Sequence, residues 1–134
     1  MIVDSSALIA VLRQEADASM FTEALASVKY RYLSAPGYLE TCMVHVGRKG
    51  AEAQVDVDEL LRDARIQILP FRSEHANVAV SAFVKFGKGR GHRAQLNFGD
   101  CISYAVSKVE AMPLLFKGDD FRLTDVECAL PAAG

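Results

Sequence analysis

Three cysteines, Cys42, Cys101 and Cys128, are all the chain contains, and they are odd in number, widely spaced and without a CxxC pair. A disulfide framework or zinc–thiolate centre is therefore not expected, and the thiols read as reduced packing residues. Histidine is equally sparse. His45, His75 and His92 show neither HxxxH nor HExxH spacing, which removes the usual imidazole metal sites. No apolar run approaches the ~18 residues of a membrane span, and the amino terminus has no basic segment leading into a signal-peptide core. A cytoplasmic location without membrane attachment is the expectation. Net charge is small as well, −2, so any hold on nucleic acid has to come from a local basic patch rather than from the field of the whole molecule. Internal repeats, low-complexity blocks and linkers are also missing.

What is present is the composition of an ordinary globular domain. With 51% apolar and 24% charged residues, the chain reads as a single domain, 1–134, able to bury roughly two-thirds of the surface its unfolded form exposes. Its head organises the rest. Ile2 and Val3 read as a short buried strand, Asp4 sits where that strand stops, and Ser5 or Ser6 can cap residues 7–12 as a helix. Strand carboxyl ends are where open α/β sheets bind ligands. Asp4 can equally be a plain helix cap.

Met20, Phe21, Ala24, Leu25 and Val28 then repeat at helical spacing, which predicts a helix at about residues 17 to 29. Residues 30–35 read as a strand ended by Pro36-Gly37. Leu39, Cys42, Met43 and Val46 share one face of the next helix, which ends near Gly47 or Gly50. Glu40 falls in its first turn, where an acid complements the macrodipole. Ala53, Val57, Leu60, Leu61 and Ala64 give a fourth helical stripe, and Ile66-Gln67-Ile68-Leu69 a strand. Ser73 can cap a helix that buries Ala76, Ala79, Val80, Phe83 and Phe86 and stops at Gly87. Residues 88–97 form the one concentrated cationic segment, a glycine-rich loop expected to be mobile. With Lys85, its Lys88, Arg90 and Arg93 suit phosphate contacts made by position, unless the loop is merely solvated. Asp100 opens a helix whose residues 101–107 suit burial on most sides. Leu114-Leu115-Phe116 is a further strand, with Asp119 and Asp120 directly after it. Thr124 through Ala129 suggest an edge strand, and residues 131–134 a loose tail.

This order describes an α/β domain with helices on both faces of a short, mostly parallel central sheet. In that architecture Asp4 and Asp119 would follow strands while Glu40 and Asp100 would open helices, all facing one crevice. Carboxylates gathered there repel, the more so in a partly buried cleft. Either their pKa values are raised or a cation sits among them, and oxygen ligands without His or Cys favour Mg²⁺ or Mn²⁺ over zinc.

Four segments also resemble the motifs of PIN-domain ribonucleases, most closely the VapC toxins of bacterial toxin–antitoxin pairs. They are Met1-Ile2-Val3-Asp4-Ser5-Ser6-Ala7-Leu8, Tyr38-Leu39-Glu40, Asn97-Phe98-Gly99-Asp100-Cys101 and the run from Leu114 to Phe121. The resemblance spans almost the whole chain. It implies a PIN-like three-layer α/β/α domain and a Mg²⁺-dependent endoribonuclease, usually dimeric and held inactive by a small VapB-type antitoxin. Carried over by position, Asp4 and Asp100 match the main metal ligands, Glu40 the acid that completes the site, and Ser6 the hydroxyl two residues past the first Asp. One residue separates Asp119 from Asp120 as the fourth acid, and we take Asp119. The activity so implied is attack on RNA by water that the metal activates, leaving 5′-phosphate and 3′-hydroxyl ends, with Lys88, Arg90 and Arg93 gripping the RNA.

Three other readings compete. A haloacid-dehalogenase-like phosphatase shares the strand-end Asp and a late Gly-Asp pair, but it wants an acid where Ser6 stands and usually a cap domain. A phosphoacceptor receiver domain needs an acid after a middle strand, and Leu69-Pro70-Phe71 offers none. A non-catalytic interaction module would use the acids purely as caps.

Overall fold

In the computed structural model, which describes residues 1–132, four short strands form one sheet. They are β1 (Ile2–Val3), β2 (Arg31–Ser34), β3 (Ile66–Leu69) and β4 (Leu114–Leu115), in the order β3-β2-β1-β4. Every pairing is parallel: Ile2 sits opposite both Tyr32 and Leu114, and Arg31 opposite Ile66. Six helices, α1 (Ser5–Leu12), α2 (Ala18–Ala26), α3 (Ala35–Lys49), α4 (Ala53–Asp63), α5 (Ser73–Phe86) and α6 (Phe98–Glu110), make the connections.

Two-residue periodicity splits the central strands between two cores. Val3, Leu33 and Leu115 pack with Ala7, Leu8, Phe21, Leu25, Val57 and Leu61 from α1, α2 and α4. Ile2 and Leu114 pack on the other face with Ala82 and Phe86 of α5 and Cys101, Tyr104 and Val106 of α6. The result is the three-layer α/β/α sandwich expected of the sequence. From β1 the chain steps outward through β2 to β3 and then returns to β4 on β1's other side. At such a reversal neighbouring connections leave in opposite directions and open a crevice at the strands' carboxyl edge. Asp4 is the residue at that point.

Several local expectations change. Pro36 and Gly37 do not end β2 in a turn. Ser34 caps α3 directly, accepting from the Gly37 N–H at 3.0 Å, and Pro36 lies in the first helical turn, where its missing N–H costs nothing. Helix α3 is also rotated from the face its apolar residues predict. It buries Thr41 and His45 beside Cys42, and leaves Leu39, Met43, Val44 and Val46 exposed. Burial of these polar side chains is supported by bonding: Thr41 Oγ1 donates to Gly37 O at 2.7 Å, and His45 Nε2 meets Asp56 Oδ2 at 3.0 Å. Helix α5 is turned likewise, burying His75, Ala82 and Phe86 while Val80, Phe83 and Val84 face outward. The predicted last strand, Thr124 through Ala129, reduces to a single bridge of Leu114 with Cys128, in which Leu114 exchanges backbone bonds with Glu127 and Ala129, and a 3-10 turn at Asp120–Leu123 precedes it. Of the predicted loose tail, residues 133 and 134 lie outside the described residues. Among the described residues the cysteines are free, and no helix is long and apolar enough to cross a membrane.

The basic loop is tied down rather than mobile. Lys88 N donates to Leu96 O and Leu96 N to Phe86 O, both at 2.9 Å, while Ala94 and Leu96 are fully buried. The His92 ring stands edge-on to Phe86. Lys88, Arg90 and Arg93 stay exposed, and none pairs with an acid among the described residues.

Candidate active site

Asp4 does cap a helix, as the simplest reading held. Its Oδ2 accepts from Ser6 N at 3.0 Å and from Ser6 Oγ, which closes the start of α1. A cap alone does not explain the rest. The side chain is 4% exposed, and its other oxygen, Oδ1, accepts from Ser103 Oγ on α6, ninety-nine positions away. Ser6 in turn accepts from the backbone N–H of Lys117 at 2.9 Å, which ties the loop after β4 to the head of α1.

Glu40 is the sixth residue of α3, so it stands in the second turn and not in the first. That distance weakens the macrodipole explanation, because the effect fades beyond the terminal turn. Its Oε1 accepts from Ser5 Oγ at 2.8 Å. The carboxylate lies against Gly99, where a Cβ would stand 2.5 Å from Oε2. Glycine at this position is what lets α3 bring an acid up to the amino end of α6.

Asp100 occupies the first turn of α6 and closes a capping box. Asn97 N donates to Asp100 Oδ2 at 3.1 Å, and Asp100 N donates to Asn97 Oδ1 at 2.9 Å. Even with that amide in its favour, the carboxyl is pushed up from 3.8 to about 6. Burial is the largest cause, and the charges of Asp4, Asp120 and Glu40 add to it. The charges of carboxylates from three other segments therefore act on Asp100. Of the adjacent pair after β4, Asp120 is the acid whose charge reaches Asp100, while Asp119 stands just before the 3-10 turn that Asp120 begins and makes no side-chain cap bond.

No basic side chain neutralises this group. Asp4, Glu40, Asp100, Asp119 and Asp120 take part in no ion pair among the described residues, and Lys117 Nζ turns to Glu15 and Asp17 at 3.3 and 3.2 Å. Each inner acid is held by hydroxyls instead, Asp4 by Ser6 and Ser103 and Glu40 by Ser5. Among the described residues, no three Asp, Glu, His or Cys side chains stand close enough to form a ready-made ligating group. The donor set is nonetheless all oxygen and uncompensated, with Asp4 buried and Asp100 desolvated, and that suits a hard divalent cation.

The PIN-domain family profile matches residues 1–127. The chain belongs to that family. Within this PIN-domain family its relatives include ribonuclease VapC28 of Mycobacterium tuberculosis, 45% identical over 130 residues covering 97% of this chain and 98% of that one. Ribonuclease VapC of Mycolicibacterium smegmatis is 44% identical over 126 residues, covering 94% and 97%. Two solved structures share the fold at low identity. Mycobacterium tuberculosis VapC20, a sarcin-ricin loop cleaving toxin, has a TM-score of 0.75 at 17% identity over 93% of this chain and 95% of that one. A toxin–antitoxin complex from Klebsiella pneumoniae has a TM-score of 0.67 at 19% identity, covering 90% and 88%. Membership leaves the phosphatase and receiver readings without support.

Set on this PIN domain, the residues named from the sequence, Asp119 apart, fall into two groups. Asp4, Ser6, Glu40 and Asp100 converge at the carboxyl edge of β1. Lys88, Arg90 and Arg93 lie in the loop that runs into the Asn97 cap of α6, outside the cluster of acids. Ser5, Gly99 and Ser103 were missed. Gly99 and Ser103 flank Asp100 on α6, and the only available signal was that a serine three residues after a helical acid shares its face.

Proposed function

We propose that this chain is a metal-dependent endoribonuclease, the toxin of a toxin–antitoxin pair acting in the cytoplasm, and that its site is the carboxylate cluster at the end of β1. The single observation carrying this reading is that the charges of Asp4, Glu40 and Asp120 converge on a desolvated Asp100 with no cationic side chain to offset them. Asp4 and Asp100 would hold the ion, Mg²⁺ or Mn²⁺ by the hardness of their oxygens. Asp120 replaces Asp119 as the fourth acid. A bound divalent ion supplies charge that offsets the phosphodiester's and makes water acidic enough to lose its proton. Glu40, anchored through Oε1 by Ser5, has Oε2 left to orient that water for attack in line with the leaving oxygen. Lys88, Arg90 and Arg93 hold the RNA through phosphate contacts.

Two partners follow. A VapB-type antitoxin is supported by the VapC relatives and by the Klebsiella pneumoniae toxin–antitoxin complex of the same fold. A second copy of the chain is supported by the outward faces of α3 and α5. Phe98, 83% exposed, projects between an apolar hollow of about 470 Å³ and a second of about 330 Å³. No charged side chain lines the larger hollow, so its occupant must be equally apolar, and this chain carries such a surface itself. A two-fold pairing would seat each Phe98 in the partner's hollow.

The deciding experiment is cleavage of RNA in Mg²⁺ against chelator, for the wild type and Asp4→Asn. Metal-dependent products with 5′-phosphate and 3′-hydroxyl ends, lost in the variant, are expected. Cyclic 2′,3′-phosphates, or cleavage that persists in chelator, would overturn the reading.

A further inference from the structure

We propose that Ser103 is a positioning residue for Asp4, its hydroxyl turning the carboxylate so that one oxygen remains open to a divalent cation. The inference rests on the site reading above and concerns a residue outside the set of acids.

The two oxygens of Asp4 are held in different ways. Oδ2 is fixed by Ser6, through both its amide and its hydroxyl, in a local bond pattern that any helix cap of this kind can make. Oδ1 is fixed by Ser103 alone, through a 2.5 Å bond that crosses from α6 to α1. A carboxylate anchored at one oxygen can still pivot about its Cβ–Cγ bond, whereas a second anchor from another element sets its plane. That second anchor comes from the helix that carries Asp100, one turn earlier and on the same face. Ser103 therefore registers Asp4 against Asp100, the two residues assigned to hold the ion.

An ionised carboxylate offers about four lone-pair positions. Three are taken, by Ser6 N, Ser6 Oγ and Ser103 Oγ. The position that remains is on Oδ1, the oxygen facing α6. Ser103 is itself 6% exposed, so water does not readily replace it. Partners of this kind, which touch a ligating group rather than the metal, typically change metal affinity by about 10- to 100-fold when removed.

The same helix provides an internal control. Ser107, one turn further on, is buried to a similar degree, but its hydroxyl donates to Met112 O and is remote from the acids. Mg²⁺ and Mn²⁺ binding to the RNA-free protein is measured by calorimetry and by thermal stabilisation for the wild type, Ser103→Ala, Ser103→Thr and Ser107→Ala. Ser103→Ala is expected to weaken ion binding about 10-fold or more. Ser103→Thr, which keeps the hydroxyl, and Ser107→Ala should stay within about threefold of wild type. In turnover assays Ser103→Ala should raise the Mg²⁺ concentration needed for half-maximal rate while the rate at saturating Mg²⁺ largely recovers. Wild-type ion affinity in Ser103→Ala, or an equal loss in Ser107→Ala, overturns the role of Ser103 and leaves the site reading standing. A wild-type protein that binds neither ion overturns both.

Discussion

Replacing Asp100 with Asn should make the metal-free protein more stable while abolishing the metal-dependent cleavage proposed for it. The carboxyl is raised from 3.8 to about 6 by burial and by its acidic neighbours. For an acid the sign is as follows: below pH ~4 the group is protonated in both folded and unfolded chains and costs nothing. As pH rises through the interval from about 4 to 6, the unfolded chain releases its proton more readily than the folded one, so stability falls, and above about 6 the full cost is present. That cost is at most about 3 kcal/mol, and solvent screening of this partly exposed group trims it to about 1–2 kcal/mol. Asn keeps an oxygen to accept from Asn97 N, so the capping box survives the substitution. For a chain of this size the gain corresponds to a rise in Tm of about 3–8 °C at pH 7.5. Thermal and urea melts in chelator from pH 4 to pH 8 would measure it. The difference between variant and wild type should vanish near pH 4 and reach its plateau above pH 6. A variant less stable than wild type at pH 7.5, or a difference independent of pH, would refute the argument that the cluster stores uncompensated charge.

Other outcomes follow from the same geometry. Gly99→Ala should leave the fold intact but displace the Glu40 carboxylate, since the new Cβ would meet Oε2 at 2.5 Å; circular dichroism unchanged with cleavage reduced at least 10-fold is expected, and retained cleavage would remove Glu40 from the site. Arg90→Ala with Arg93→Ala should weaken RNA binding and lower the slope of log affinity against log salt by about 1.4, given a contribution of about 0.7 per phosphate contact on single strands; Mg²⁺ affinity should not change, and an unchanged salt slope would dissociate the loop from RNA. Stabilisation by Mg²⁺ should diminish below pH 6, where protons compete for Asp100; a Tm increment constant from pH 5 to pH 8 would contradict this. Phe98→Asp should convert a dimer to a monomer in sedimentation without lowering helix content, and a wild-type protein that sediments as a monomer would dismiss the paired face.

Much of the layout was legible because it depends on patterns short in sequence. Apolar runs ended by Asp4 and Pro70 mark two strands and Gly87 marks the end of α5, since each residue there acts on its immediate neighbours, whereas Pro36-Gly37 misplaced the end of β2 because Ser34 caps α3 directly. The orientation of α3 and α5 was not legible. Periodicity detects that Leu39, Met43, Val80 and Phe83 lie on helical faces, but not which face the sheet will cover. Thr41, His45 and His75 each find a bonding partner where they are buried, and for both histidines one ring nitrogen is met by an acid well away in the chain, His45 Nε2 by Asp56 and His75 Nε2 by Glu110, while His75 Nδ1 accepts from Arg72 N nearby. Which of the adjacent acids Asp119 and Asp120 acts on Asp100 was not legible either, since it depends on the path of the chain through the 3-10 turn after β4; the charge felt at Asp100 is that of Asp120.

By itself the sequence determined the kinds of elements, their order, and the placing of acids next to strand and helix ends, because backbone propensity and capping act over a few residues. Only the tertiary structure decided that Asp4 meets Ser103, that Glu40 rests on Gly99, and that the Asp100 carboxyl is pushed up to about 6. Those facts depend on packing between segments far apart in the chain, and on the desolvation that packing brings, neither of which any local stretch encodes.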